Sequence, residues 1–235
     1  MNTSYLSLLI QRQAQKYGER VALKYRDYAT STWIPVSWNQ FSKKVSKVSR
    51  ALVALGVQAQ ENIGVFSQNK PECLYTDFGA FGVRAVTVPL YATSSEAQVH
   101  YILQDAAIRF LFVGEQYQYD VASRVQNLCH TLKRIIVFDS SVKLAPGDTN
   151  SLYYEDFLAL GDNMELQQQV DKLTAESSPQ DLANILYTSG TTGESKGVML
   201  HHSCYEAAFK AHHGRLTTLG EQDVVMNFLP FTHIF

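Results

Sequence analysis

The sequence predicts an α/β fold in which a mainly parallel sheet is covered by helices. Beyond residue 61, strand-like and helix-like segments alternate, which is typical of parallel strands joined by helical crossovers. The strand-like segments are continuous apolar runs, as expected for strands that are buried on both faces. A length of 235 residues and a hydrophobic fraction of 46% suffice for one large core or two small ones.

The elements before residue 61 form a first group that ends in the clearest helix of the chain. Apolar residues recur at steps of three and four from Trp38 to Leu55, which gives one stripe for burial. Ser37 and Gln40 have the spacing of a capping box at the start of this helix, and Gly56 can end it. The predicted elements before this helix are a helix over 5–17 ended by Gly18, and strands Val21–Tyr25 and Thr32–Val36.

The alternating part of the chain contains short apolar strands, capped helices and polar loops. Thr93 with Glu96, and Ser203 with Glu206, have capping-box spacing and predict helix starts. Residues 139–152 are rich in Ser, Pro, Gly, Asp and Asn and predict a surface loop. The predicted strands are Asn62–Phe66, Ala85–Pro89, Phe110–Val113, Arg134–Phe138, Ala183–Thr188 and Gly197–Leu200; the predicted helices are Glu72–Val83, one capped by Thr93 that runs through Gln104, Gln116–Leu128, 154–160, 163–173 and one starting at Ser203.

Composition and charge argue against several classes of function. The formal net charge is −2 with no basic half, so the concentrated positive surface that nucleic-acid binding needs is not predicted. Cys73, Cys129 and Cys204 are far apart and odd in number, which argues against a structural disulfide or zinc site and favours a reducing compartment. His201–His202 and His212–His213 lie about three helical turns apart, so we expect no metal site in this chain.

The sequence shows no pattern of a targeting or membrane-spanning segment. The N-terminal apolar stretch, Leu6–Ile10, is too short for a signal peptide. No run of about 18 uncharged apolar residues occurs, since Arg84 interrupts the best candidate. We therefore expect a cytoplasmic protein without a transmembrane helix.

The segment LYTSGTTGESKGVML, residues 186–200, is the strongest functional signal in the sequence. Its hydroxyl residues can donate hydrogen bonds, its glycines let backbone N–H groups approach a ligand, and Lys196 adds a positive charge. Together these groups suit a polyanion with many acceptor oxygens, such as a triphosphate.

Two other interpretations of this segment are a polar hairpin turn and a Walker A loop. A turn between two strands accounts for two glycines, but it has no need of so many hydroxyl residues beside a lysine. A Walker A loop requires glycine before its lysine and serine or threonine after it, whereas Ser195 precedes Lys196 and Gly197 follows it. The Walker pattern therefore fails, and the hairpin turn stays as the structural alternative.

The stretch YTSGTTGESKGV resembles the signature phosphate loop of the adenylate-forming superfamily, which includes acyl-CoA synthetases, firefly luciferase and the adenylation domains of peptide synthetases. Residues Tyr187–Gly193, Lys196 and Gly197 match the usual form, and Ser195 stands where proline is common. The stretch Gly56–Thr93 resembles the family's early core, with NKPE in place of its N-x-PE segment. The final VVMNFLPFTHIF resembles its LP-x-x-H segment, in a form similar to that of synthetases for long-chain fatty acids.

The resemblance implies ATP-dependent activation of a carboxylic acid. In the family, a carboxylate oxygen attacks the α-phosphorus of ATP, pyrophosphate leaves, and the acyl-adenylate passes its acyl group to a thiol, usually coenzyme A. His233 matches the family's histidine beside the carboxylate pocket; the alternative is a packed polar side chain at a strand end. The implied cofactors are ATP and Mg²⁺, whose ligand residue is expected outside this chain, with coenzyme A as co-substrate. The residues implied to hold the triphosphate are Thr188, Ser189, Gly190, Thr191, Thr192, Gly193 and Lys196.

The resemblance also implies that these residues are the first part of the large N-terminal domain of a longer enzyme. We expect residues 1–235 to form an incomplete AMP-binding domain, with a first α/β subdomain over 1–175. Residues 176–235 would carry the phosphate loop and begin a second subdomain, the C-terminal domain would be absent, and the chain alone would be inactive.

The expected parent protein is a long-chain fatty acid–CoA ligase that uses a fatty acid, ATP and coenzyme A. No nucleic-acid partner is expected, and peripheral association with a membrane is left open. Two alternatives remain: an aryl or amino acid adenylating enzyme, and a non-catalytic module that binds a nucleotide or a partner.

Overall fold

The computed structural model describes residues 5–188 and 195–232. Within these residues, seven strands form one sheet in the order β7-β6-β5-β3-β4-β8-β9, and two further strands form a separate hairpin. The strands are β1 Val21–Asp27, β2 Thr32–Ser37, β3 Asn62–Phe66, β4 Val86–Leu90, β5 Phe110–Val113, β6 Arg134–Val137, β7 Ser151–Tyr153, β8 Leu182–Thr188 and β9 Lys196–His201. The helices are α1 Tyr5–Tyr17, α2 Trp38–Ala54, α3 Pro71–Gly82, α4 Glu96–Asp105, α5 Gln116–Gln126, α6 Tyr154–Leu160, α7 Gln167–Ala175, which a 3₁₀ turn over Met164–Leu166 precedes, and α8 His202–Arg215.

The large sheet is parallel from β7 through β8, and β9 alone runs antiparallel to its neighbour. The predicted α/β class with a mainly parallel sheet is therefore confirmed. Because the parallel strands share one direction, their carboxyl ends lie at one edge of the sheet, where ligands of open α/β folds usually bind. The carboxyl end of β8, at Thr188, belongs to this edge.

Helices cover both faces of the sheet, which explains the continuous apolar strands. In β5, Leu111 and Phe112 are both fully buried, although their side chains point to opposite faces. Phe112 packs in a layer with residues of α2, α3 and α6, whereas Leu111 packs in a layer with residues of α4 and α5. The strand is thus apolar at every position, because each face meets a helical layer.

The capping box that the sequence predicts before α2 is confirmed. The Ser37 hydroxyl accepts a hydrogen bond from the Gln40 backbone N–H at 3.1 Å, and the Gln40 side chain accepts one from the Ser37 N–H at 2.8 Å. Gly56 follows the helix with a φ of +77°, a conformation that favours glycine. Local sequence therefore sets both ends of this helix.

The predicted starts of two other helices are wrong. Helix α4 has Ser95 as its N-cap, in a capping box with Gln98, and not Thr93 with Glu96. Helix α8 begins at His202, and the hydroxyl of Ser203 forms no cap. In α8 the first N–H groups donate to loop carbonyls instead, from His202 to Asp181 O and from Ser203 to Pro179 O, so a capping side chain is not required.

The loop predicted over 139–152 ends earlier than expected, because Ser151–Tyr153 forms the short strand β7. This strand pairs with β6 in parallel at the outer edge of the sheet. Its residues are all partly exposed, and its three positions give no apolar run that a sequence pattern could reveal.

We expect a Gly79→Ala substitution to destabilise the fold by about 2 kcal/mol through overpacking between α2 and α3. A Cβ at Gly79 would lie 2.4 Å from Cγ1 and 2.8 Å from Cβ of Val48, a residue that is fully buried. Denaturant unfolding monitored by circular dichroism would measure the change. Gly214→Ala in α8 is the matched control, since both glycines are helical but a Cβ at Gly214 meets no atom within 4 Å. A Gly79→Ala protein as stable as the Gly214→Ala protein would contradict the prediction.

Candidate active site

The two ends of the predicted phosphate loop lie opposite each other in the sheet. Thr188, the last residue of β8, and Lys196, the first residue of β9, are antiparallel register partners. Cross-strand partners project to the same face, so the Thr188 hydroxyl and the Lys196 ammonium group share one side of this hairpin. Both residues are exposed. The other predicted site residues, Ser189, Gly190, Thr191, Thr192, Gly193 and His233, lie outside the described residues.

The hairpin of β8 and β9 joins a buried strand to an exposed one. Residues 183–187 of β8 are buried, as their apolar sequence predicts. In contrast, β9 pairs on one side with β8 and exposes Val198 and Met199, which are 45% and 63% accessible. The phosphate-loop sequence therefore connects a strand fixed in the core to an edge strand of the described sheet.

Tyr187 and Gly197 pack directly across the hairpin. They are register partners one step away from Thr188 and Lys196, and their side-chain positions therefore lie on the opposite face. A Cβ at Gly197 would lie 3.3 Å from Cζ of Tyr187 and 2.8 Å from Cγ2 of Ile185. Gly197 is thus a packing glycine, and it lets the Tyr187 ring lie against the neighbouring strand.

Helix α4 contacts both flanks of the loop. The Tyr187 hydroxyl donates a hydrogen bond to the Asp105 carboxylate. The Tyr101 hydroxyl donates to the backbone carbonyl of Ser195 at 3.0 Å, and the Tyr101 and Tyr187 rings meet edge to face with centroids 6.2 Å apart. Burial raises the pKa of the Tyr187 hydroxyl, and the hydrogen bond to Asp105 raises it further, so this hydroxyl stays a donor at neutral pH.

A second contact brings the C-terminal segment to the same edge of the sheet. Asn69 follows β3, and its Nδ2 donates to the carbonyl of Leu229 at 2.7 Å, while its Oδ1 accepts from the N–H of Phe231 at 3.0 Å. The NKPE and LPFTHIF segments are thereby joined, although 160 residues separate Asn69 from Leu229. Phe231, two residues before His233, therefore lies at this edge of the sheet.

Sequence reasoning missed the roles of Asn69, Tyr101 and Asp105. Asn69 stands in the NKPE segment that carries part of the resemblance, yet its sequence context does not indicate a contact with Leu229. Tyr101 and Asp105 are spaced i,i+4 and so share a helical face, which was the one available signal. Their partners depend on the strand order β3-β4-β8, which periodicity does not reveal.

The described residues contain neither a cluster of metal-binding side chains nor a membrane-spanning helix. Within 5–188 and 195–232, no group of three or more His, Cys, Asp or Glu side chains is arranged to hold a metal ion. Across the same residues, no helix combines the length and apolar character needed to cross a bilayer.

Comparison with known proteins identifies similar chains. The family model described as "AMP-binding enzyme" matches residues 10–235. The long-chain-fatty-acid–CoA ligase ACSBG2 of Xenopus laevis is 29% identical over 96% of this chain and 30% of its own length. The fatty acyl-CoA synthetase A of Dictyostelium discoideum is 31% identical over 85% of this chain and 30% of its own length.

A solved structure extends the comparison to the fold. The long-chain-fatty-acid-CoA ligase FadD1 of Archaeoglobus fulgidus has a TM-score of 0.71 and 23% identity over 97% of this chain and 42% of that chain. At this identity the likeness concerns the fold. The 235 residues thus span about a third of the length of the curated relatives they match.

Proposed function

Because the chain belongs to the AMP-binding enzyme family, as its resemblance predicted, we propose that it forms part of a long-chain fatty acid–CoA ligase. The observation that carries this proposal is the position of the signature sequence, which joins Thr188 to its partner Lys196 at the carboxyl edge of the sheet, where ligands of open α/β folds usually bind. The curated relatives that match nearly the whole chain are named as fatty acid–CoA ligases, which supports a fatty acid as the substrate.

In the proposed reaction, the fatty acid carboxylate attacks the α-phosphorus of MgATP and pyrophosphate leaves. The thiol of coenzyme A then attacks the acyl carbonyl of the adenylate, and AMP leaves. The first step brings an anion onto a polyanion, so it needs hydrogen-bond donors and positive charge around the phosphates. We propose that Lys196, the Thr188 hydroxyl and the residues between them supply these groups. Magnesium enters with ATP as part of the substrate, and we assign none of its ligands to this chain.

We propose that His233 orients the fatty acid carboxylate. Support comes from Asn69, which holds the backbone at Leu229 and Phe231 and so brings the preceding residues to the edge of the sheet that carries Thr188. The packed polar side chain remains the alternative for His233.

The chain covers about a third of the length of its curated relatives, which supports the proposal that catalysis needs more than these residues. We propose that residues 1–175 form a first subdomain, that 176–235 carry the phosphate loop, and that the adenylation reaction needs further parts of a ligase. The 235-residue chain alone would then form no acyl-adenylate. We also propose a cytoplasmic location, which fits the three free cysteines Cys73, Cys129 and Cys204.

Carboxylate-dependent exchange of labelled pyrophosphate into ATP tests the proposal. The complete ligase and the 235-residue chain would be assayed side by side with acetate, octanoate, palmitate, benzoate and mixed amino acids. We expect palmitate to support exchange by the complete ligase, and the 235-residue chain to support none. Exchange with benzoate or an amino acid alone would favour the aryl or amino acid alternative. A complete protein without exchange on any acid would favour the non-catalytic module.

A further inference from the structure

We propose that Tyr101 and Asp105 of α4 are positioning residues that hold the two flanks of the phosphate loop. We call this pair the α4 clamp. The inference rests on the proposed function of the loop, and it adds a determinant of MgATP binding outside the signature sequence.

The first half of the clamp acts on β8. Tyr187 is 7% exposed, and its hydroxyl donates to the Asp105 carboxylate. This contact fixes the residue immediately before Thr188. The packing of Gly197 against the same ring extends the restraint to β9.

The second half of the clamp acts on the other flank. The Tyr101 hydroxyl donates to the Ser195 carbonyl, the backbone group immediately before Lys196. Tyr101 and Asp105 lie one helical turn apart on one face of α4, and the Tyr101 ring also meets the Tyr187 ring edge to face. One rigid helix therefore contacts the chain on both sides of residues 189–194.

The position of Asp105 is not explained by helix stability. It is the last residue of α4, where the helix dipole disfavours a negative charge. It is also exposed, so it contributes little to the core. Its described role is to accept the hydrogen bond from Tyr187, which is consistent with a function in the hairpin.

Fixing both flanks limits the conformations open to the segment between them. A segment with fewer accessible conformations loses less entropy when it binds a triphosphate. Loss of the clamp would then raise the KM for MgATP about tenfold. The KM for the fatty acid would stay unchanged, since the clamp acts on the segment that is proposed to hold the triphosphate.

Two matched pairs of variants separate the clamp from general packing. Asp105→Ala removes the acceptor of the Tyr187 hydrogen bond, whereas Asp105→Asn keeps a side-chain oxygen that can accept it. Tyr101→Phe removes the bond to Ser195. Tyr153→Phe is its control, because it removes a similar bond, from the Tyr153 hydroxyl to the Val142 carbonyl at 2.8 Å, near the opposite end of the sheet.

Hydrogen exchange of the 235-residue chain and steady-state kinetics of the complete ligase provide the two readouts. We expect Asp105→Ala and Tyr101→Phe to speed amide exchange several-fold in peptides that span 186–200, and to raise the KM for MgATP but not for palmitate. Asp105→Asn and Tyr153→Phe should behave like the unaltered protein in both experiments.

Unchanged exchange in Asp105→Ala and Tyr101→Phe would overturn the clamp, whatever the activity of the ligase. Faster exchange with an unchanged KM for MgATP would overturn its role in positioning the loop. An unaltered ligase that activates no acid would overturn the proposed function. It would also overturn the role of the clamp in MgATP binding. The hydrogen-exchange rates would still show whether α4 restrains the hairpin of β8 and β9.

Discussion

Replacing Lys196 by methionine in the complete ligase is expected to lower palmitate-dependent pyrophosphate exchange about 100-fold. Removal of one preorganised group that stabilises developing charge typically costs a factor of about 10² to 10³. Lys196 begins β9 opposite Thr188, so its ammonium group lies at the end of the proposed phosphate loop. Loss of this positive charge would slow the step in which the α-phosphorus is attacked and pyrophosphate leaves.

The same substitution should leave the fold intact. Lys196 is exposed, and surface substitutions of this kind usually change the free energy of unfolding by no more than about 0.5 kcal/mol. Lys43→Met is the matched control, because Lys43 is also exposed but lies on α2, away from the hairpin of β8 and β9. Equal exchange rates for the Lys196→Met and Lys43→Met ligases would contradict the assignment of Lys196 to the phosphate site.

The fold was predictable wherever burial leaves a repeating pattern. Strands Asn62–Phe66 and Phe110–Val113 begin and end where predicted, since each is buried on both faces and appears as an apolar run. Strand β7 was not predictable, because it has three residues and owes its existence to pairing with β6. Its stability is a property of the sheet, and its local sequence carries no sign of it.

Helix starts were less predictable, because several residues can serve as caps. The run from Thr93 to Ser95 offers two capping boxes, Thr93 with Glu96 and Ser95 with Gln98, and the structure uses the second. Both candidates satisfy the local pattern, so the local pattern does not choose between them. The contacts of Asn69 with Leu229 and of Tyr101 with Ser195 were also not predictable from local sequence, since the strand order brings these distant residues together.

A buried polar cluster joins β8 to β4 and α8. Asn184 of β8 donates from Nδ2 to the Thr87 hydroxyl and accepts at Oδ1 from the Tyr205 hydroxyl at 2.6 Å. Asp77 of α3 borders this cluster, and its carboxyl group is hydrogen-bonded to the side chain of Thr87. Burial raises the pKa of Asp77 from 3.8 to about 7, although the hydrogen bond with Thr87 acts in the opposite direction.

This raised pKa predicts that Asp77 weakens the fold as the pH rises. Between about pH 4 and pH 7, the folded chain keeps a proton on Asp77 that the unfolded chain has released. The free energy of unfolding therefore falls across this window, by at most about 4 kcal/mol in total at 1.36 kcal/mol per pKa unit. Above pH 7 both states have lost the proton, and the penalty is complete.

Asp77→Asn should remove this penalty, because the amide stays neutral at every pH in the window. Urea unfolding at pH 5 and pH 7.5 would compare the two proteins, and the stability of Asp77→Asn relative to the unaltered chain should increase by about 3 kcal/mol between these values. Asp156→Asn, which removes an exposed carboxylate from α6, controls for the loss of a charge. A relative stability of Asp77→Asn that is the same at both pH values would mean that Asp77 is ionised in the folded protein throughout this range. The cluster around Asn184 would then hold β8 in place beside a charged group, and its hydrogen bonds would have to offset the cost of keeping that charge away from water.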